Sequence, residues 1–191
     1  MAIRRTTEST KKLVYIAILT AIVFVLQFVS LFMRYSLFSV TFVLVPIVVG
    51  SAICGKYWGA WLGFVFAIAV FATGDANFFL AMNPVGTVIT VIAKGVLAGL
   101  VSGVVYYLLE KKNRYVAVVS SAVLAPIVNT GVFIIGCFLF FFDYISSSAG
   151  GESLFSFVLI NFVGLNFFVE LGINIILAPT IMRIINIKKK I

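Results

Sequence analysis

The chain has no histidine, six acidic residues and two cysteines in 191 positions. Each shortage excludes something. Histidine is the commonest metal ligand and the side chain that titrates nearest neutrality, so its absence removes most metal centres and most acid–base sites. Cys54 and Cys137 lie in apolar runs without CxxC or CxxCH spacing, and read as small buried hydrophobes rather than a disulfide or metal pair. Charge is scarce overall. A soluble domain carries about 25% charged and about 45–50% apolar residues, whereas this chain has 10% and 63%, which excludes a water-soluble domain. No polar stretch is long enough for a separate catalytic domain, so function is expected inside a bilayer or at its face.

What is present is apolar sequence in span-sized blocks. A spanning helix needs about 20 mostly apolar residues, and polar punctuation divides the chain into six segments: Lys12 to Met33, Ser39 to Cys54, Tyr57 to Thr73, Val85 to Leu109, Tyr115 to Phe142 and Phe155 to Ile185. The second and third are short, and Pro46, Gly50 and Gly55 interrupt them. The first follows Arg4, Arg5, Lys11 and Lys12 but has no small-x-small cleavage site, and is expected to be a retained helix rather than a signal peptide. Cytoplasmic loops retain Lys and Arg. With six spans and both ends inside, 12 of the 14 basic residues fall on the cytoplasmic side, leaving Arg34 and Lys94. The outer loops carry Asp75, Asp143 and Glu152. The expected fold is therefore all-α: one domain over 1–191, an integral membrane bundle of six transmembrane helices with basic cytoplasmic tails at 1–11 and 186–191. The net charge of +8 is spread over several loops and tails, which marks orientation and contact with anionic lipid rather than a nucleic-acid surface.

Small residues recur at helical spacing. Gly55, Gly59 and Gly63 form one ladder and Gly95, Gly99 and Gly103 another; in lipid, close backbone approach is a main source of helix attraction, so both are expected to be packing seams. Ala17 and Ala21 make a weaker pair on the first segment, for which docking to a separate membrane protein is an alternative to internal packing. Gly50 to Tyr57, reading GSAICGKY, matches a phosphate-binding loop up to its last residue. Tyr57 stands where a small hydroxyl must hold magnesium, and the segment follows an apolar helix rather than a strand. Any ATPase is expected on another chain.

Lys94 and Glu170 are the two ionisable groups well inside apolar segments. An intramembrane charge costs at least about 2.5–3.5 kcal/mol, so it usually faces a partner or a cavity. Either the two pair with each other, or Lys94 is the counter-charge of an anionic substrate; the readings are not exclusive. Asn166, Glu170 and Asn174 share one helix face at i, i+4 and i+8. Asn129 and Thr130 follow Pro126, which bends a helix and frees carbonyls. The fourth segment opens Asn83-Pro84-Val85-Gly86-Thr87, preceded by Asp75 and Asn77. So many amides suit a water- or ligand-filled pocket toward the outer side, or else interhelical hydrogen bonds. Phe78, Phe79 and the run Phe138 to Phe142 lie by the outer loops, where they would cap a pocket.

The segments FVLVPIVVGSAICGKYWGAWLG (Phe42 to Gly63) and APIVNTGVF (Ala125 to Phe133), the six-segment layout and the Ala17, Ala21 pair together resemble the substrate-binding S components of energy-coupling factor (ECF) vitamin transporters, in particular the pantothenate type. The resemblance implies a vitamin pocket near the outer face formed by the last three helices and capped by outer loops. It implies docking through small residues of the first helix onto a membrane coupling subunit (T component) that carries two cytoplasmic ATPase subunits, and delivery by toppling. It places Ala17 and Ala21 at the docking motif, Lys94, Asn129, Thr130 and Asn166 in the pocket, with Glu170 beside them, and Arg34, Asn77 and Asn83 at its rim. It implies no cofactor or metal. A chain without histidine, with both tryptophans at the cytoplasmic end, suits a small flexible acid better than a stacked heterocycle; pantothenate has one carboxylate, two hydroxyls and one amide. S components for folate, pyridoxamine-type vitamins or cobalamin are the alternatives.

Other classes fit less well. An intramembrane enzyme needs clustered carboxylates, a histidine or an activated serine, and the acids here are scattered. A secondary carrier is expected to show an inverted repeat, which is not evident. A small uncoupled channel stays open as a reading.

Overall fold

A computed structural model describes residues 2–32, 34–35, 38–39, 42–150 and 153–190. The chain is almost wholly helical. Helix α1 covers Ala2–Phe32, and a two-residue antiparallel ladder, β1 (Arg34–Tyr35) with β2 (Phe38–Ser39), sets Arg34 opposite Ser39. Then come α2 (Leu44–Cys54), α3 (Lys56–Ala72), α4 (Asn77–Met82), α5 (Pro84–Leu109), α6 (Arg114–Phe140), α7 (Phe142–Ser148), α8 (Leu154–Val158), a π-helical turn over Leu159–Val163, and α9 (Gly164–Lys190).

Four segments are long and apolar enough to cross a membrane: Thr10–Phe32, Pro84–Leu109, Arg114–Phe140 and Asn166–Ile187. The second expected segment is shorter than its composition indicated. Ser39 is taken up in the ladder, and α2 runs for 11 residues, about 16 Å at 1.5 Å per residue. Pro46 does not interrupt α2: it lies in the first turn, where a backbone N–H has no intrahelical acceptor to lose. The last expected segment is not one helix. Gly164 takes φ 41°, a left-handed conformation open to a residue without a Cβ, and the preceding π turn adds a residue to the winding. Irregular backbone at this depth persists where it is buried or lines a cavity.

The bundle is held by an α3–α5 seam. A Cβ on Gly59 or Gly99 would run into the other's carbonyl, and Gly63 and Gly95 are related in the same way. Gly103 lies against the backbone of Lys56. Between the helices, the Ser51 and Ser102 hydroxyls stand 3.4 Å apart, and Ser121 donates to the Ser102 carbonyl at 2.9 Å. These buried hydroxyls bind α2, α5 and α6 where no water competes. One apolar cluster joins α1, α2, α3 and α5 around Ile47, Leu62 and Phe66. A second joins α2, α6 and α9 around Val48, Val118 and Ile181. A third, around Cys137, Phe141, Ile145 and Val158, closes the end at α7 and α8.

The two ends of the bundle differ chemically. Arg114 donates to Asn186 at 3.0 Å, which joins the start of α6 to the end of α9, near Lys111, Lys112 and Arg183. At the other end, Asn83 fixes the start of α5: its Oδ1 accepts from the Gly86 N–H at 2.9 Å, and its Nδ2 donates to the Phe140 carbonyl at 3.2 Å. One amide thus caps α5 and ties it to the end of α6. Asn83→Ala is expected to cost about 1–2 kcal/mol of stability through the lost cap, read as a lowered melting midpoint in detergent. An unchanged midpoint would mean that the cap is dispensable.

Candidate functional site

The helix geometry brings one set of polar side chains to one depth. Lys94 lies ten residues past Pro84 on α5 and Asn129 eleven residues before Phe140 on α6, so both sit about 15 Å from the same end of the bundle. Glu170 lies six residues past Gly164 on α9, about 9 Å in from the break. Together with Thr130 and Asn166 they line a single cavity of about 140 Å³, whose other walls include Phe66, Val70, Asp75, Phe79, Phe133 and Phe162.

Lys94 is placed unusually. Its ammonium stands 5.4 Å from the centroid of the Phe133 ring and 5.9 Å from that of Phe66. The ion pair with Glu170 expected as one reading is not formed: Lys94 makes no ion pair among the described residues. A cation over ring faces is held by about 0.5–2 kcal/mol, less than the cost of its desolvation. Glu170 is 7% exposed and its backbone carbonyl accepts from Asn174 Nδ2 at 2.8 Å. Asn174 lies one turn further along the same face, is fully buried and does not line the cavity. Asn129 is 7% exposed, and neither end of its amide has a hydrogen-bond partner among the described residues. Buried polar groups are nearly always paired, and this amide has its unused hydrogen-bonding capacity beside the cavity.

The mouth is aromatic. Phe79 of α4 packs edge-on against Phe133, Phe141 and Phe162 at 5.2–5.4 Å. Phe162 belongs to the π turn, so the break that ends the expected long helix is what presents a ring to the cavity. Of the aromatics expected to cap a pocket, Phe79 lines it, while Phe78 packs beside it against Tyr144.

Two of the three rim residues, Asn77 and Asn83, lie away from the cavity. Asn83 is the α5 cap described above, Asn77 is exposed at the start of α4, and neither lines the cavity. The backbone of Arg34 is in β1, but its side chain lies outside the described residues. Two other residues are involved: Asp75, noted in the sequence beside Asn77 before the fourth segment but not placed in the pocket, and Gln27, which sequence reasoning missed. Asp75 lines the cavity from the α3–α4 turn and accepts at 3.2 Å from Nε2 of Gln27, which also reaches Thr73 Oγ1 at 3.3 Å. Gln27 is fully buried on α1. A lone amide in the apolar run of α1 was the available signal.

Ala17 and Ala21 lie on the other side of α1. Ile16, Val23 and Gln27 face the bundle, whereas both alanines are exposed, in a strip with Leu13, Val14, Ile18, Val25 and Phe32. Helix α1 thus touches the cavity wall with one face and leaves its small-residue face open.

No group of three or more metal-ligating side chains occurs among the described residues. No curated protein and no solved structure matches the chain. The family model for the ECF transporter substrate-specific component matches residues 11–182. A helical chain with four membrane-length helices, matched over most of its length, therefore belongs to the substrate-specific components of ECF transporters: it is a multi-pass membrane transport subunit rather than an enzyme, and ATP hydrolysis resides in separate subunits.

Proposed function

We propose that the chain captures a small vitamin-class organic acid, pantothenate in the first instance, in the cavity lined by Lys94, Asn129, Thr130, Asn166 and Glu170. The observation that carries this reading is the Lys94 ammonium, deep in a spanning helix, over two phenyl faces and without an ion pair among the described residues. A ligand carboxylate supplies the missing counter-charge, and the unpartnered Asn129 amide supplies hydrogen bonds to its hydroxyls or amide. An apolar cavity of about 150 Å³ holds a benzene, so a vitamin seated here fills the space and extends through the mouth between α4 and the π turn.

The remaining features fit an importer subunit of a bacterial cytoplasmic membrane. The end carrying Lys56, Lys111, Lys112 and Arg114 is cytoplasmic by the positive-inside rule, which puts both termini inside and the cavity mouth outside. The six-span topology counts the short α2 and α3 as spans beside the four long helices. The open face of α1 around Ala17 and Ala21 docks on a coupling subunit bearing two ATPases.

The experiment is mass spectrometry of the small molecule that co-purifies with the detergent-solubilised chain, paired with binding to the Lys94→Ala variant. Loss of a charge-assisted hydrogen bond is worth about 1.5–3 kcal/mol, so affinity for pantothenate should fall by well over about tenfold. Unchanged affinity would make Lys94 a packing residue. Transport by the isolated chain, without coupling and ATPase subunits, would refute the importer reading.

A further inference from the structure

A second cavity lies outside the substrate site. Helices α1 and α9 both pack against α2, and a groove of about 220 Å³ runs between them, at the end of the bundle where Arg114 bonds Asn186. Its floor is Val49, which is buried, flanked by the half-buried Leu19 and Ile53. Its rims, Ile18, Ile184 and Ile187, are exposed on the outer surface of two spanning helices. No charged side chain lines it among the described residues, and neither Ala17 nor Ala21 does. Charge begins one turn away. Lys11 and Lys12 precede Tyr15, at the groove's end, by four and three residues, so they share its face of α1, and both are exposed. On α9, three lysines at 188–190 follow Ile187.

We infer that this groove seats one acyl chain of an anionic phospholipid, with the headgroup phosphate at Lys11 and Lys12. An apolar trough between spanning helices with a cationic ledge at its end matches the two halves of such a lipid. The size of the trough points the same way. One turn of helix, at about 10 Å diameter and 5.4 Å pitch, fills roughly 400 Å³, nearly twice the groove. A cavity of about 150 Å³ holds a benzene, so the groove takes roughly eight or nine carbons of a flexible chain. Leaving water is no part of the gain, because lipid tails are as apolar as leucine. The gain comes from dispersion contacts in a trough whose walls otherwise lack partner atoms, and from the two ammonium groups beside the phosphate. Basic pockets between spanning helices hold anionic headgroups by the same attraction. A zwitterionic lipid with the same chains brings its own ammonium, which offsets that attraction. The seated chain fills the gap between α1 and α9 and ties the two helices together over α2.

The test uses the full chain in detergent, titrated with dioleoyl phosphatidylglycerol, dioleoyl phosphatidylcholine or glycerol 1-phosphate. Native mass spectrometry counts the lipid retained, and a melting scan gives the concentration for half-maximal stabilisation. Phosphatidylglycerol should be retained at one per chain and act at about tenfold lower concentration than phosphatidylcholine, or better; glycerol 1-phosphate should have no effect at those concentrations. Equal action of the two lipids overturns the headgroup assignment, and equal action of glycerol 1-phosphate overturns the seated chain. With Lys11→Gln and Lys12→Gln together, the advantage of phosphatidylglycerol should shrink to about threefold or less; a full advantage retained also overturns the proposal. Ile184→Trp, which fills the groove from its exposed rim, should weaken both lipids about tenfold. If that variant keeps its lipid but loses self-association, or loses co-purification with the coupling subunit, the groove belongs to a second copy or to that subunit and the proposal falls. The wild-type series and the two exposed lysines decide the matter even where Ile184→Trp does not fold.

Discussion

Ala17→Trp and Ala21→Trp are expected to abolish uptake by the assembled transporter while leaving ligand binding to the isolated chain unchanged. Both alanines are exposed, on the side of α1 opposite Ile16, Val23 and Gln27, so an indole there meets no part of the bundle. In the complex proposed above, what it meets is a helix of the coupling subunit. Helices in lipid associate through van der Waals contact and close backbone approach, because lipid tails are as apolar as the side chains they replace. A tryptophan in the seam holds the two backbones apart and forfeits contacts along the whole strip from Leu13 to Phe32. The measurement is co-purification with the coupling subunit together with uptake into cells, set against thermal stabilisation of the isolated variant by pantothenate. Intact co-purification and uptake would move docking to another face. Loss of binding would mean that α1 acts on the cavity, for which Gln27, bonded to Asp75 at 3.2 Å, is the available route.

Gly63→Val is expected to prevent folding. A Cβ at Gly63 would strike the carbonyl and backbone carbon of Gly95, and the next nearest atom is the backbone nitrogen of Val96 at 3.0 Å. None of these is a side chain that can rotate away, so α3 and α5 must separate, which also undoes the matching contact at Gly59 and Gly99. Overpacking a core usually costs about 1–3 kcal/mol; a collision with backbone across a two-point seam should cost about 3 kcal/mol or more, enough to unfold a marginally stable chain. The readout is a monodisperse peak on size exclusion and a melting midpoint in detergent. Gly172→Ala is the control: nothing lies within 4 Å of a Cβ there, and alanine in a helix should be neutral or stabilising by up to about 1 kcal/mol. If Gly63→Val melts with the control, the seam is not what holds these helices together.

Much of the architecture was legible because helices in lipid obey local rules. Span positions follow from runs of apolar residues. The glycine ladders identified the α3–α5 seam at Gly59, Gly63, Gly95 and Gly99, because a four-residue repeat stays on one helix face and a face of glycines has only backbone to offer a neighbour; Gly55 is not part of it, since it lies in the turn before α3 with φ 112° and nothing within 4 Å of a Cβ. The pairing of Asn166 with Glu170 on the cavity face of α9 follows from the same periodicity, although Asn174 continues past the cavity into the packed interior. The segment boundaries that failed did so for local reasons too. Ser39 has as good a claim to a turn as to a helix, and a glycine inside an apolar run gives no sign of whether it will take a positive φ, as Gly164 does.

Whether the polar residues would meet was not local. Lys94, Asn129 and Glu170 are separated by 35 and 41 positions, and periodicity says which side of its own helix each occupies but not what that side faces. The sequence by itself determined the class of protein, the blocks that cross or enter the membrane, the basic end, the two glycine faces and the spacing of the alanine pair, whose exposure only the tertiary structure decided. These depend on solvent preference and on spacing along a single helix. Only the tertiary structure decided that Lys94 faces aromatic rings instead of Glu170, that Asn83 caps α5 rather than edging the cavity, and that Asp75 joins the wall under the hold of Gln27. Those outcomes depend on helix rotation and crossing, which are fixed by packing between distant segments, and a broken helix at Gly164 changes them in a way that no window of sequence contains.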